Sequence, residues 1–342
     1  MAKLLAYARF IVGALALVFV VAIAMPAGAQ QRNSDGSVNP TASSVKEDQL
    51  LEQMRIIDGR VSIPDRRSGN LEQPAGRDWR NFHQTTLKWI AAISIVGIFA
   101  LLVIFYLWRG MVKLENGRSG RTLARFSMFE RFVHWMTAAC FVVLAISGLN
   151  ISFGKSLLLP LIGPEAFTNW SQLAKYAHNY LSFPFTIGVV LIFLMWIAWN
   201  IPSKVDIEWI KRGGGMIGDD HPPAHLFNAG QKMIYWIVVI GGTAAAVSGY
   251  LLMFPFYATD IAGMQVAQII HSIVGVLFVA AMLVHIYMGT LGEEGAFEGM
   301  WDGTVDENWA KQHHSLWLQE QQGRAGANET QSRARTAATP AE

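Results

Sequence analysis

Apolar positions along the chain gather into five long runs: Trp89–Trp108, Phe132–Phe153, Asn179–Ile201, Met233–Phe254 and Met264–Gly292. Each has about the twenty residues that a helix needs to cross a hydrocarbon core ~30 Å thick. Polar backbone groups inside lipid must be satisfied within the segment, so the runs predict helices and an all-α integral membrane fold. Trp89–Trp108 lies between Lys88 and Arg109 and contains no histidine. It is expected to be a packing or anchoring helix, with aromatic residues at its ends.

The chain before these spans has a different texture. Residues 1–29 have the form of an export signal: Lys3 and Arg9, an apolar core Phe10–Ala24, and small residues Ala27-Gly28-Ala29 before Gln30. An uncleaved anchor helix is the alternative reading, and either one places the segment from Gln30 onward outside the cytoplasm. Residues 30–87 are polar and mixed in charge, with Pro40, Pro64 and Pro74. They are expected to be an extended exported segment lying against a partner, or a disordered linker. The tail from Glu293 carries Trp301, Trp309 and Trp317, and becomes Gly/Ala/Thr/Arg-rich after Gln322; its end is expected to be disordered.

Charge sets the orientation. Arg109–Arg131 holds Arg109, Lys113, Arg118, Arg121, Arg125 and Arg131, and Pro202–Lys232 holds Lys204, Lys211, Arg212 and Lys232. On the other side, Gly154–Ala177 has only Lys155 and Lys175, and Pro255–Gly263 has no basic residue. The basic connections belong in the cytoplasm. The predicted layout is N-terminus out, five spans, C-terminus in, in the bacterial inner membrane.

Composition narrows the chemistry. Hydrophobic residues make up 52% and charged ones 15%, and the net charge of +2 gives no basis for nucleic-acid binding. The single cysteine, Cys140, lies in an apolar run and excludes a disulfide framework or a thiolate-held cluster. It is expected to be a small core residue.

Histidine is what remains. His271 and His285 lie fourteen residues apart in the last span, so they share one helix face with a rise of ~21 Å between them. Intramembrane ionisable residues are costly and point to function. On the predicted topology His134 and His285 lie near the cytoplasmic side, and His178 and His271 near the outer side. Depth therefore pairs His134 with His285 and His178 with His271. Two imidazoles from different helices at one level suit a bis-histidine haem, which leaves no open iron position and serves electron transfer. Ser147-Gly148 and Ser248-Gly249 follow Trp135 and Trp236 at the same Trp-x11-Ser-Gly spacing. This suggests a faint repeat, and glycine there would admit a macrocycle or a neighbouring helix.

The other histidines (His83, His221, His225, His313 and His314) lie outside the spans and are assigned no cofactor role. His221-Pro222-Pro223-Ala224-His225 is at most a weak metal motif beside the simpler reading of a solvated loop. Gly213-Gly214-Gly215 lacks the Lys-Ser/Thr of a P-loop.

The residues from about Arg125 to Gln319 resemble the cytochrome b556 (gamma) subunit of membrane-bound formate dehydrogenase. The likeness rests on Phe129-Glu130-Arg131-Phe132-Val133-His134-Trp135, Asn200-Ile201-Pro202, Asp206-Ile207-Glu208-Trp209, Asn228-Ala229-Gly230-Gln231-Lys232-Met233, Ile270-His271, Val284-His285-Ile286-Tyr287-Met288 and the Trp309 to Trp317 stretch. The resemblance implies a four-helix di-haem cytochrome b bundle, with His178 and His271 on the outer haem and His134 and His285 on the inner. It also implies an iron–sulfur (beta) subunit feeding the outer haem, a separate molybdenum- or tungsten-containing (alpha) subunit oxidising formate, and a quinone reduced near the inner haem at Asn228. A helix N-cap is the other reading of Asn228. The first ~120 residues have no counterpart in the short form of that family. Related cytochrome b subunits of hydrogenase or thiosulfate reductase share the haem logic. A redox-silent anchor or transporter is the rival of another class.

Overall fold

The computed structural model describes residues 74–216, 220–324 and 326. The predicted export signal, most of the 30–87 segment and the end of the tail lie outside them. The chain divides into two units, 1–80 and 81–342. In the first unit the described residues, 74–80, are helical.

Among the described residues, five helices are long and apolar enough to cross a membrane: α1 (Asp78–Arg109), α2 (Met128–Leu157), α3 (Pro164–Trp199), α4 (Ala229–Met253) and α5 (Ile261–Gly292). One coincides with each apolar run, but two begin earlier than hydropathy suggests. Helical backbone starts at Pro74, inside the stretch expected to be extended. The helix of α3 starts at Pro164, so residues 164–177 are helical rather than a loop and His178 sits mid-helix. The cause is local. Gly163, at φ +78°, stops the preceding turn, and Pro164 is preset for the first helical position. Its polar early turns carry no membrane signal, so a hydropathy count misses them.

Side-chain caps mark the other starts. Ser127 and Glu130 form a capping box on α2, Asn228 and Gln231 form one on α4, and Asp260 caps α5. α1 lies along α5, with Leu87 and Ala91 packed on Val276 and with Phe105 and Tyr106 edge-on to Tyr287. Its other face exposes Trp89, Ile93, Phe99 and Leu107, as lipid contact requires. The middle of the α2–α5 bundle is apolar: Cys140, Phe185, Val189, Phe278 and Met282 form one buried cluster, with Phe141 against Phe278 at 4.8 Å.

One end of the bundle, the capped end, carries a folded cap built from residues 110–126, 200–216, 220–228 and 293–319. Its sheet is the antiparallel pair β1 (Thr122–Ala124) and β2 (Thr304–Asp306), in register Thr122↔Asp306, Leu123↔Val305 and Ala124↔Thr304. Leu114, Val305, Trp309, Ala310, Trp317 and Leu318 form its core. The Asp306 carboxylate accepts from the backbone N–H groups of Ser119, Gly120 and Asn308. Inside, Arg125 Nη2 donates to Leu226 O at 2.7 Å and to His314 Nε2 at 3.2 Å, with the guanidinium 4.5 Å above the Trp309 ring. At the opposite, open end the described connections are short: the helical turn Leu159–Ile162 with Gly163 between α2 and α3, and residues 254–260 between α4 and α5.

Candidate functional site: two histidine pairs

His134 stands in the second turn of α2, held in place by the Ser127–Glu130 box. Glu130 in turn accepts from Trp196 Nε1 of α3 at 2.7 Å. Across from His134 is His285, near the end of α5; the ring centroids are 6.1 Å apart with planes at 61°. Toward the open end, His178 of α3 and His271 of α5 meet at 6.0 Å and 75°. The four histidines are thus brought together in the two pairs expected from depth. Cys140 is buried and free, in the apolar layer between the two levels.

That ring spacing can be tested against a metal between the rings. With about 2 Å from each nitrogen to a metal and about 1 Å from nitrogen to ring centre, two imidazoles on opposite sides of one ion have centres about 6 Å apart. Among the described residues no three His, Cys, Asp or Glu side chains gather to hold a bare ion. A site offering two axial nitrogens instead suits a metal whose other positions a macrocycle fills.

The open-end rings are oriented through Nδ1. Ser147 Oγ lies 2.9 Å from His178 Nδ1, and Ser248 Oγ 3.1 Å from His271 Nδ1. Ala245 O is 3.0 Å from His271 Nδ1, and since a carbonyl only accepts, the proton is on Nδ1 and the Nε2 lone pair is free to ligate. The adjoining glycines let the rings come this close. A Cβ on Gly148 would lie 3.3 Å from His178 Cε1, and one on Gly249 3.0 Å from His271 Cε1. The sequence pattern suggested room for a macrocycle or a neighbouring helix; the imidazole that approaches each glycine comes from the neighbouring helix.

At the capped end Asn228 Oδ1 accepts from Gln231 N at 2.9 Å, which makes it an N-cap and leaves its amide N–H groups as donors. Four residues on from Asn228, Lys232 Nζ reaches Asp206 at 2.8 Å and Ile201 O at 3.1 Å. Burial pushes the Asp206 carboxyl up, but Lys232 and Ser203 outweigh it and hold it below the usual range. The Asn-Ala-Gly-Gln-Lys string therefore codes for a capping box and a buried ion pair. Nearby Trp135 Nε1 donates to Met300 O, so the cap is fastened one residue from His134.

The remaining cap histidines have protein partners. His221 faces Glu115 at 3.1 Å, and His225 Nδ1 faces Glu320 at 2.7 Å; the motif that holds them thus turns to two different carboxylates. His314 is fully buried, its Nδ1 donating to His225 O at 2.6 Å. Burial and the neighbouring Arg125 keep it well below its ordinary pKa, while burial lowers Arg125 to about 9, still charged at neutral pH. Sequence reasoning assigned this network no role, because its members are far apart in the chain and lack a shared motif.

A bundle of apolar helices that sets two histidine pairs ring to ring, one level above the other, has the form of a multi-pass membrane cytochrome of the b type. The family model of prokaryotic cytochrome b561 matches residues 125–303, just over half of the chain, and the chain belongs to that family. It is also similar to the nitrate-inducible formate dehydrogenase cytochrome b556(Fdn) subunit of Escherichia coli K12, 29% identical over 206 residues, or 58% of this chain and 92% of the relative. The cytochrome b556(fdo) subunit of the same strain is 29% identical over 203 residues, covering 58% and 93%. The formate dehydrogenase cytochrome b556 subunit of Haemophilus influenzae is 28% identical over 220 residues, covering 62% and 88%.

Proposed function

We propose that this chain is the membrane-anchoring di-haem cytochrome b subunit of a formate dehydrogenase complex in the bacterial inner membrane. It takes electrons from a periplasmic iron–sulfur subunit at the open end and delivers them to quinone at the cytoplasmic, capped end. The observation that carries this reading is the pair of ring-to-ring histidine contacts, 6.0 and 6.1 Å apart, on two levels of one bundle. The relatives named above, all formate dehydrogenase cytochrome subunits, support the choice of complex.

His178 and His271 would hold one haem, and His134 and His285 the other. Haem b, when bound, supplies one-electron exchange at its iron. The chain's own residues do the rest. Two imidazoles at each level would close a bound iron to other ligands, including oxygen. Phe141, Phe185 and Phe278, about two helical turns from the histidines on their own helices, fill the space between the levels in a cluster without Asp, Glu, Lys or Arg. That dry layer lets electrons cross without a proton wire, so charge separation would come from electron flow, worth ~2.3 kcal/mol per charge per 100 mV. At the capped end the Asn228 amide is positioned to donate to a quinone carbonyl, with the protons of reduction drawn from the cytoplasm. Formate oxidation belongs to a separate molybdenum- or tungsten-containing subunit.

The decisive experiment is a reduced-minus-oxidised spectrum with a haem-to-protein ratio on the purified chain, followed by His271→Ala in the complex. Two b haems per chain are expected, and the variant should keep formate-to-dye activity and lose quinone reduction. Quinone reduction that survived in the variant would refute the relay.

A further inference from the structure

The two hairpins of the bundle, α2–α3 and α4–α5, repeat one device. In each, the first helix carries tryptophan, then Ser-Gly twelve and thirteen residues later, and the second helix lays a histidine on that Ser-Gly. Trp135 and Trp236 fasten the capped end of each first helix by donating Nε1 to Met300 O and Asn200 O. Ser147-Gly148 seats His178, and Ser248-Gly249 seats His271. The capped-end pair falls outside the repeat. The residue before Trp236 is Tyr235 where the residue before Trp135 is His134, and fourteen residues past His178 is Ile192 where fourteen past His271 is His285. Tyr235 and Ile192 lie in one buried apolar cluster.

We propose that Ser147 and Ser248 are positioning residues that lower the electron affinity of the open-end level below that of the capped-end level, and so give the relay its direction. This rests on the reading that each pair holds a haem. Each serine hydroxyl donates to the carbonyl four residues back, Val143 O and Ala244 O, both at 2.6 Å. With its own hydrogen committed, Oγ is left to accept from the histidine Nδ1–H, a proton that at His271 it shares with Ala245 O. An acceptor on that proton makes the imidazole a stronger donor through Nε2. A stronger donor stabilises oxidised iron more than reduced iron, and hydrogen bonding of this kind is one of the means by which a protein sets haem potential. At the capped end the His134 Nδ1 is buried with no partner, so its ring gains no such strengthening. One electron then passes downhill from the iron held by His178 and His271 to the iron held by His134 and His285. The first is oxidised and the second reduced, with no change of ligand and no proton transferred.

Serine hydroxyls that bond back along their own helix are common, so the test must read something that packing alone would not move. The full chain, loaded with both haems, is titrated electrochemically while its optical spectrum is followed. Ser147→Ala and Ser248→Ala should each move the open-end midpoint to more positive values, the double variant further, and the capped-end midpoint should stay in place. Ser147→Thr and Ser248→Thr, which keep the hydroxyl, should return the open-end midpoint to its original value. An unmoved open-end midpoint in the double variant, or an equal rise of both midpoints, overturns the proposal. If the alanine variants lose the open-end haem, the threonine variants decide: an unshifted midpoint supports the hydroxyl's role and a positive shift overturns it. A wild-type chain with fewer than two haems would instead bring down the functional reading itself, so the two failures are distinguishable.

Discussion

The two ends of the bundle present the same ring-to-ring spacing and support it in opposite ways. At the open end each histidine is held from behind, by a serine hydroxyl and a missing Cβ on the neighbouring helix. At the capped end His134 has no partner on Nδ1, and a folded cap is fastened beside it through Trp135 and Arg131, which donate to Met300 O and Trp301 O. One end fixes its rings by contacts inside a hairpin, and the other by segments 165 and 170 residues apart. Local contacts survive distant substitutions, whereas a cap of long-range contacts fails together.

The largest break in this symmetry should come from His271→Ala. On the proposed di-haem reading it would remove one axial nitrogen, so haem content should fall to about half, with the capped-end absorbance intact; a pyridine haemochrome assay measures it. Gly249→Ala comes next. Its Cβ would sit 3.0 Å from the His271 ring against 3.3 Å between the Gly148→Ala Cβ and the His178 ring, so open-end haem occupancy should drop more in the first variant than in the second. The same haem-to-protein ratio reports both.

At the capped end, Arg125→Ala should destabilise the cap by on the order of 3 kcal/mol, because it strands Leu226 O and His314 Nε2 in a buried site. Thermal unfolding followed by tryptophan fluorescence would show it, with haem content at the open end unchanged. The cap should also be acid-labile. Burial and Arg125 hold His314 neutral in the fold, while the unfolded histidine takes a proton below about pH 6.5. The stabilisation is therefore complete above that pH and falls by about 1.4 kcal/mol for each pH unit below it, and His314→Gln should flatten the profile. A cap whose melting point ignores pH between 7 and 5 would contradict this account.

The smallest stability effect belongs to Asn228. Asn228→Ala loses the N-cap, worth about 1 kcal/mol, and Asn228→Ser keeps it. Quinone reduction should suffer in both variants. Activity that follows stability alone would leave the residue with capping as its whole role.

Much of the bundle was legible from residue order because lipid imposes simple rules. Continuous apolar runs must be helices, and fourteen residues on a helix return to nearly the same face, which linked His271 to His285 and set two levels. Depth then selected partners for His134 and His178 without any contact information. The hydropathy pattern was weaker where it had no grip, as in the polar first turns of α3, where Gly163 and Pro164 decided the boundary.

What the sequence determined by itself was thus the five spans of the described residues, the two histidine levels and the repeated Trp-x11-Ser-Gly spacing. Only tertiary structure decided what that spacing is for, since a serine and a glycine become a seat only when another helix delivers a ring to within about 3 Å of them. It alone also decided the cap. β1 and β2, Arg125 and His314, and His225 and Glu320 are joined by long-range contacts whose partners share no period or motif. The physical reason is one of range: burial in lipid is written residue by residue, whereas hydrogen-bond partners across a fold exist only after the chain has closed on itself.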